Sequence, residues 1–160
     1  MSFSITLSKN DISADIASKI GKAQSPKMNR DIGNGVVGLA KESFNDASKR
    51  PAPWKAKSDG SASTLKSREA TLWRSLRVVS TTKTSVRIGS DRVYAAIHQF
   101  GGTIRPKKAG GRLVFTVGGK KVFAKSVTIP ARPYFPVING QLTPLAQQRI
   151  KDIIEKHLKG

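Results

Sequence analysis

A lone histidine sits in the stretch YAAIHQFGGTIRP, residues 94–106, between an apolar run and a glycine pair. Imidazole at such a place serves as a general base, a metal ligand or a packed and hydrogen-bonded group, and the rest of the chain decides among them. Base catalysis on serine needs a nucleophile and an orienting acid; serine is abundant here, but there is no G-x-S-x-G elbow. A metal site needs three or four ligands. The chain offers His98, His157, no cysteine and ten carboxylates scattered among many lysines, which form no recognisable cluster. The run GNGVVG (33–38) lacks the Lys-Ser/Thr of a phosphate loop and lies within a helical pattern, so its glycines read as packing positions. Asp152 and Glu155 share the last predicted helix with mixed charges, which marks a solvated face. The expectation is no catalytic residue, no metal and no cofactor, with His98 a structural residue.

Charge is the strongest compositional signal. Against 10 acidic residues stand 29 basic ones, a net of +19 over 160 residues. Residues 1–49 carry 7 basic and 5 acidic side chains, 50–132 carry 18 and 3, and 133–160 carry 4 and 2, so the middle holds the excess. Such a field attracts polyanions or acidic protein surfaces, with a long-range part that salt weakens; its bland counterpart is a basic surface that aids solubility. No apolar run approaches the roughly 20 residues of a membrane-spanning helix, and MSFSITLSKNDIS lacks the basic start and apolar centre of a secretory signal. Synthesis in a cytoplasm and a single domain over 1–160 are the expectations.

The elements that must position these residues follow from periodicity. FSITL (3–7) alternates as a short strand. Ser8 and Asp11 have capping-box spacing before Ile12, Ile16 and Ile20, which recur on one helical face. A second helical stretch near 26–47 places Val36, Ala40, Phe44 and Ala47 at helical spacing, with Gly33, Gly35 and Gly38 letting neighbours approach. Residues 48–70 have the composition of an exposed loop, in which Trp54 either anchors on the core, the favoured reading, or docks on a partner. TLWRSLRVV (71–79) reads as a helical turn entering a strand, with Leu72, Trp73 and Leu76 inward, and TTKTSVRIGS continues it as a hairpin with Val86 and Ile88 alternating. VYAAIHQF (93–100) makes about two helical turns, and Gly101-Gly102 permit a sharp turn into TIRP.

RLVFTV and KKVFAK flank Gly118-Gly119 and form a second hairpin, in a register that sets Phe115 opposite Val122 and Val114 opposite Phe123. Both faces then carry apolar pairs, so the hairpin either lies inside the domain's own sheet or projects onto a neighbouring subunit. Finally, Thr143 caps and Pro144 opens a C-terminal helix with Ala146, Ile150, Ile153, Ile154 and Leu158 in one stripe.

The order SVRIGSDRVYAAIHQFGGTIRPKK, then VTIPARPYFPV, then a terminal amphipathic helix resembles the bacteriophage virion-morphogenesis family of Mu-like phages, the tail-completion or neck proteins. The helical N-terminal third, the loop RPAPWKA and the turn TLWRSLRV match as well, loosely before Arg50 and closely from Val86 to Val137. Two departures stand out: the loop lacks the glycine that often precedes the tryptophan, and the Gly118-Gly119 hairpin is shortened in some members. The resemblance implies a non-enzymatic virion protein at the head–tail junction, made in the host bacterial cytoplasm. Its copies would form a ring, expected to be hexameric, that contacts other neck, connector and tail proteins and surrounds packaged DNA. The implied fold is α+β, an antiparallel sheet packed by N-terminal helices and a C-terminal helix, which the element order independently suggests.

Within that reading, a 48–70 loop and a 102–125 arm reach neighbouring subunits or rings. The arm contributes Arg105, Lys107, Lys108, Arg112, Phe115, Lys120, Lys121 and Phe123 to the expected interface, beside Trp54 of the loop. RPYFPV, stiffened by its prolines, is expected to present Arg132, Tyr134 and Phe135 as rigid contacts. Tyr94, His98, Gln99, Phe100, Gly101 and Gly102 form a structural corner. The basic middle faces either DNA or acidic partner surfaces; a passage that DNA must leave quickly should not hold it tightly, which favours acidic partners or a transient hold. The alternative in another class is a monomeric or dimeric nucleic-acid-binding domain, although no helix-turn-helix, RNP or zinc pattern is present. A hydrolase acting on a polyanion is the third reading, and it requires an activity that vanishes in His98→Ala.

Overall fold

A computed structural model describes residues 3–6, 25–57, 65, 69–117 and 119–159 of the chain. The first strand, β1 (Phe3–Thr6), pairs with β3 (Val86–Ser90), which also pairs with β2 (Arg77–Thr81); all pairings are antiparallel and the order is β1-β3-β2. The central strand buries four of its five residues, with Val86 and Ile88 in the core and Arg87 exposed between them. An extra residue in β2 shifts the register between Val78 and Ser80 and leaves Val79 outward, 48% exposed. The predicted helix carrying Ile12, Ile16 and Ile20 lies outside the described residues.

Helix α1 (Pro26–Glu42) begins where Ser25 turns extended and its hydroxyl accepts the Met28 N–H at 3.1 Å, with Pro26 in the first turn. It ends five residues before the predicted stretch does. The Ser43 hydroxyl donates to Ala40 O and contacts Tyr134 O, and the chain turns there so that Phe44 enters the core. Helical spacing continued past that point, but the tertiary contact stopped the helix.

Two glycines explain how α1 is packed. At Gly33 an added Cβ would lie 2.6 Å from Val86 and 2.9 Å from Val78; at Gly35 it would lie 2.5 Å from Ile153 of the C-terminal helix. Two residues advance an α-helix by about 200°, so these positions face opposite ways. One side of α1 lies against the sheet and the other against α4 (Pro144–Lys159), the helix that buries Ala146, Ile150 and Ile154. The packing role read for the glycine run holds at Gly33 and Gly35, whereas Gly38 has nothing within 4 Å. Arg149–Glu42 at 3.6 Å and His157–Asp31 at 2.9 Å bridge the two helices at their surface. Thr143 Oγ1 accepts the Ala146 N–H at 3.4 Å, the predicted cap, while Leu158 at the end of the predicted stripe is 40% exposed.

The short α2 (Thr71–Ser75) feeds β2, with Leu72 and Leu76 buried and Trp73 half-buried, its indole N–H donating to Lys41 O. After β3 come α3 (Ala95–Phe100), β4 (Gly102–Ile104), β5 (Leu113–Val117), β6 (Lys120–Ala124) and β7 (Val127–Ile129). A small ladder of β8 (Val137–Ile138) and β9 (Gln141–Leu142) leads into α4. The α+β class and antiparallel pairing agree with the sequence expectation. No helix among the described residues is long and apolar enough to cross a membrane.

Candidate functional site

The corner at α3 is built by a single side chain more than by any other. Gln99 is 3% exposed, and its Oε1 accepts the N–H groups of Tyr134 and Phe135 at 2.9 and 3.0 Å while Nε2 donates to Phe135 O at 3.4 Å. The segment 131–136 has no strand partner, so without this amide two buried backbone donors would have none. Tyr134 answers with its hydroxyl, which donates to Ala95 O at 2.9 Å, and burial pushes that phenol above its ordinary pKa. The Arg132 N–H donates to His98 O at 2.7 Å. Gly101 completes the fit: its φ is +72° and an added Cβ would sit 2.7 Å from Ala131 N, so only glycine lets the two segments touch.

His98 belongs to this corner. Its ring meets Tyr94 edge-on at 5.9 Å, and its Nδ1 is buried with no hydrogen-bond partner among the described residues. Burial first, and the Arg132 charge second, hold its pKa below the usual imidazole range, so it stays neutral. Among the described residues no group of three or more His, Asp or Glu side chains is placed to hold a metal.

Four residues expected at an interface lie inside the subunit. Tyr134 and Phe135 are fully buried, and with Phe44 and Trp54 they form one aromatic cluster with ring centroids 5.2–5.8 Å apart. Prolines hold the RPYFPV backbone, but the Gln99 amide turns its aromatics inward. Trp54 is 9% exposed, donates its indole N–H to Pro133 O at 2.7 Å and carries the Arg50 guanidinium over its face at 4.1 Å. It is the anchor rather than the docking group. Arg132, also 9% exposed, donates from Nε to Lys55 O at 3.2 Å. The start of the 48–70 loop is therefore pinned to the core, and 58–64 and 66–68 lie outside the described residues.

The remaining eight expected residues occupy the arm, and all eight are exposed. β4 pairs with β7 through Gly102↔Ile129, Thr103↔Thr128 and Ile104↔Val127, and everything between those strands leaves the body and returns. β5 and β6 pair only with each other among the described residues, in the predicted register: Val114↔Phe123 and Phe115↔Val122. Gly118 lies outside the described residues. Among the described residues this hairpin is therefore not part of the domain's own three-stranded sheet. Val114 and Phe123 are each 58% exposed on one face and Phe115 is 37% exposed on the other. A two-stranded ribbon is marginal in water by itself, and no other described strand pairs with this one. Over 105–125 it carries seven Lys and Arg and no acid.

The sequence model of the phage virion morphogenesis family matches residues 10–159 of the chain. No curated protein and no solved structure matches it.

Proposed function

The chain belongs to the phage virion morphogenesis family, and from that premise we propose that it works at the head–tail junction, as a ring of six copies joining the tail to the head connector. Membership itself supports a structural or assembly role in the virion. The observation that supports the finer reading is the arm. It springs from the corner bonded by Gln99 and Tyr134, carries apolar side chains on both faces and has no acidic residue between 105 and 125.

A ring closes through two different surfaces on each copy, and a projecting ribbon fixed at its base is suited to be one of them. The corner supplies the rigidity: Gln99, Gly101 and Tyr134 fix the base strands, so the ribbon leaves at a set angle. Exposed Phe123 and Val114 supply the apolar contact, and the lysines and arginines select an acidic or nucleic-acid surround.

Particles of the phage carrying a copy that lacks 106–125 test this reading in the electron microscope. Separate filled heads and finished tails are expected. Intact tailed particles in normal yield would overturn it.

A further inference from the structure

At the root of the arm the chain forms an open hollow of about 420 Å³ whose lining includes Arg105, Lys108, Arg112 and Lys125 and no acidic side chain. A turn creates it. The Gly111 N–H donates to Lys108 O at 3.0 Å, and Gly110 takes φ +72° at the third position, where a type II turn needs a glycine. That turn brings Lys108 and Arg112 around one bend, while Arg105 enters from β4 and Lys125 returns from β6. None of the four has an ion-pair partner among the described residues, whereas five ion pairs elsewhere engage Asp31, Glu42, Asp91 and Glu155.

We infer that this hollow is a phosphate-binding site for the backbone of duplex DNA, a partner that the assembly reading leaves open. Four cations in one hollow exceed what one or two carboxylates of an acidic protein surface neutralise. Duplex DNA presents a charge about every 1.7 Å of its axis and releases counterions as each phosphate is paired. Arginine forks engage phosphate oxygens bidentately, and lysines add point charge. Lys107, Lys120 and Lys121 lie outside the hollow and extend the positive track along the ribbon. A few such contacts give a salt-sensitive, sequence-independent hold, weak enough to release the DNA.

The inference rests on the head–tail reading only for where the DNA comes from, so the two fail separately. Binding of a labelled 30-base-pair duplex to the full chain is followed by fluorescence anisotropy between about 50 and 200 mM salt. The triple variant Arg105→Gln, Arg112→Gln, Lys125→Gln is compared with Arg74→Gln, Lys83→Gln, Arg87→Gln, which removes equal charge from the region of β2 and β3. The hollow variant is expected to bind at least tenfold more weakly, with a log–log salt slope shallower by roughly three, while the control stays within about threefold of wild type. Circular dichroism confirms that both fold. Equal losses in the two variants, no loss in the hollow variant, or tighter binding of a polyaspartate peptide than of the duplex would each overturn the site. DNA binding that passes this test in a protein that forms no ring sinks the junction reading and leaves the hollow standing.

Discussion

The Gln99 amide is joined to the backbone of Tyr134, 35 residues further on, by a 2.9 Å hydrogen bond, and Tyr134 returns a 2.9 Å bond to Ala95 O. Two sequence stretches that look unrelated, YAAIHQFGG and IPARPYF, are thus one structural unit. Replacing Gln99 with leucine leaves the N–H groups of Tyr134 and Phe135 buried and unpaired, at about 1–3 kcal/mol each. Gln99→Leu is expected to lose about 2–6 kcal/mol in urea titrations. Gln99→Glu, which keeps the acceptor, should lose clearly less. Equal stability of Gln99→Leu and wild type would show that the amide does not hold the corner.

Three glycines of α1 should respond in opposite directions. Gly33→Ala meets Val86 and Val78 in the packed sheet and is expected to cost about 1–3 kcal/mol. Gly38→Ala meets nothing and should stabilise by about 0.5–1 kcal/mol through helix propensity. Gly35→Ala falls between them, because its obstacle is the end of the Ile153 side chain. Thermal melts order the three, and a Gly33 variant as stable as the Gly38 one would refute the packing of α1 between sheet and α4.

Interior and exposed aromatics should separate cleanly. Trp54→Ala removes a buried indole with its hydrogen bond and is expected to cost about 3–5 kcal/mol. Phe123→Ser, at an exposed position, should stay within about 0.5 kcal/mol of wild type in stability while weakening self-association. The two are read by denaturation and by sedimentation velocity, and a Phe123→Ser variant that assembles normally would remove this residue from the contact.

His98 sets a pH dependence. Its folded pKa lies below the unfolded 6.5 because of burial and then Arg132, so between those two values the unfolded chain binds more protons and stability rises with pH. The His98 contribution is complete above about pH 6.5 and declines as pH falls through 6.5 towards the lowered folded value. Asp46 and Asp91, held low by bonds from Ser48 and Arg77, act only below their ordinary 3.8, in a separate window. Melting temperatures at pH 7.5 and 5.0 should therefore fall further apart in wild type than in His98→Gln. Identical pH profiles would show that His98 takes up no proton on unfolding in this range.

Local signals carried much of the fold. The Val114↔Phe123 register followed from a glycine turn between alternating strands, the α4 start from Thr143-Pro144, and the packing of Gly33 and Gly35 from their place in a helical pattern. What failed was the direction in which a non-periodic segment faces. RPYFPV has no alternation to read, so nothing local tells that Tyr134 and Phe135 point inward; that is decided by Gln99, on another element. Gln99 belongs to the expected corner with no role of its own, and its place between His98 and Phe100 gives no local sign of one. The end of α1 was likewise set by Ser43 reaching Tyr134, 91 residues away.

The central claim is that the arm assembles copies of this chain while the corner beneath it folds independently of the arm. Light scattering on the full chain and on the 106–125 deletion, at matched concentration and moderate salt, tests it most directly. The account predicts six times the 17.3 kDa chain mass for the full protein, and a single chain mass for the deletion with its circular dichroism and cooperative melt retained. A full-length protein that stays monomeric, or a deletion that still forms the larger species, would contradict it.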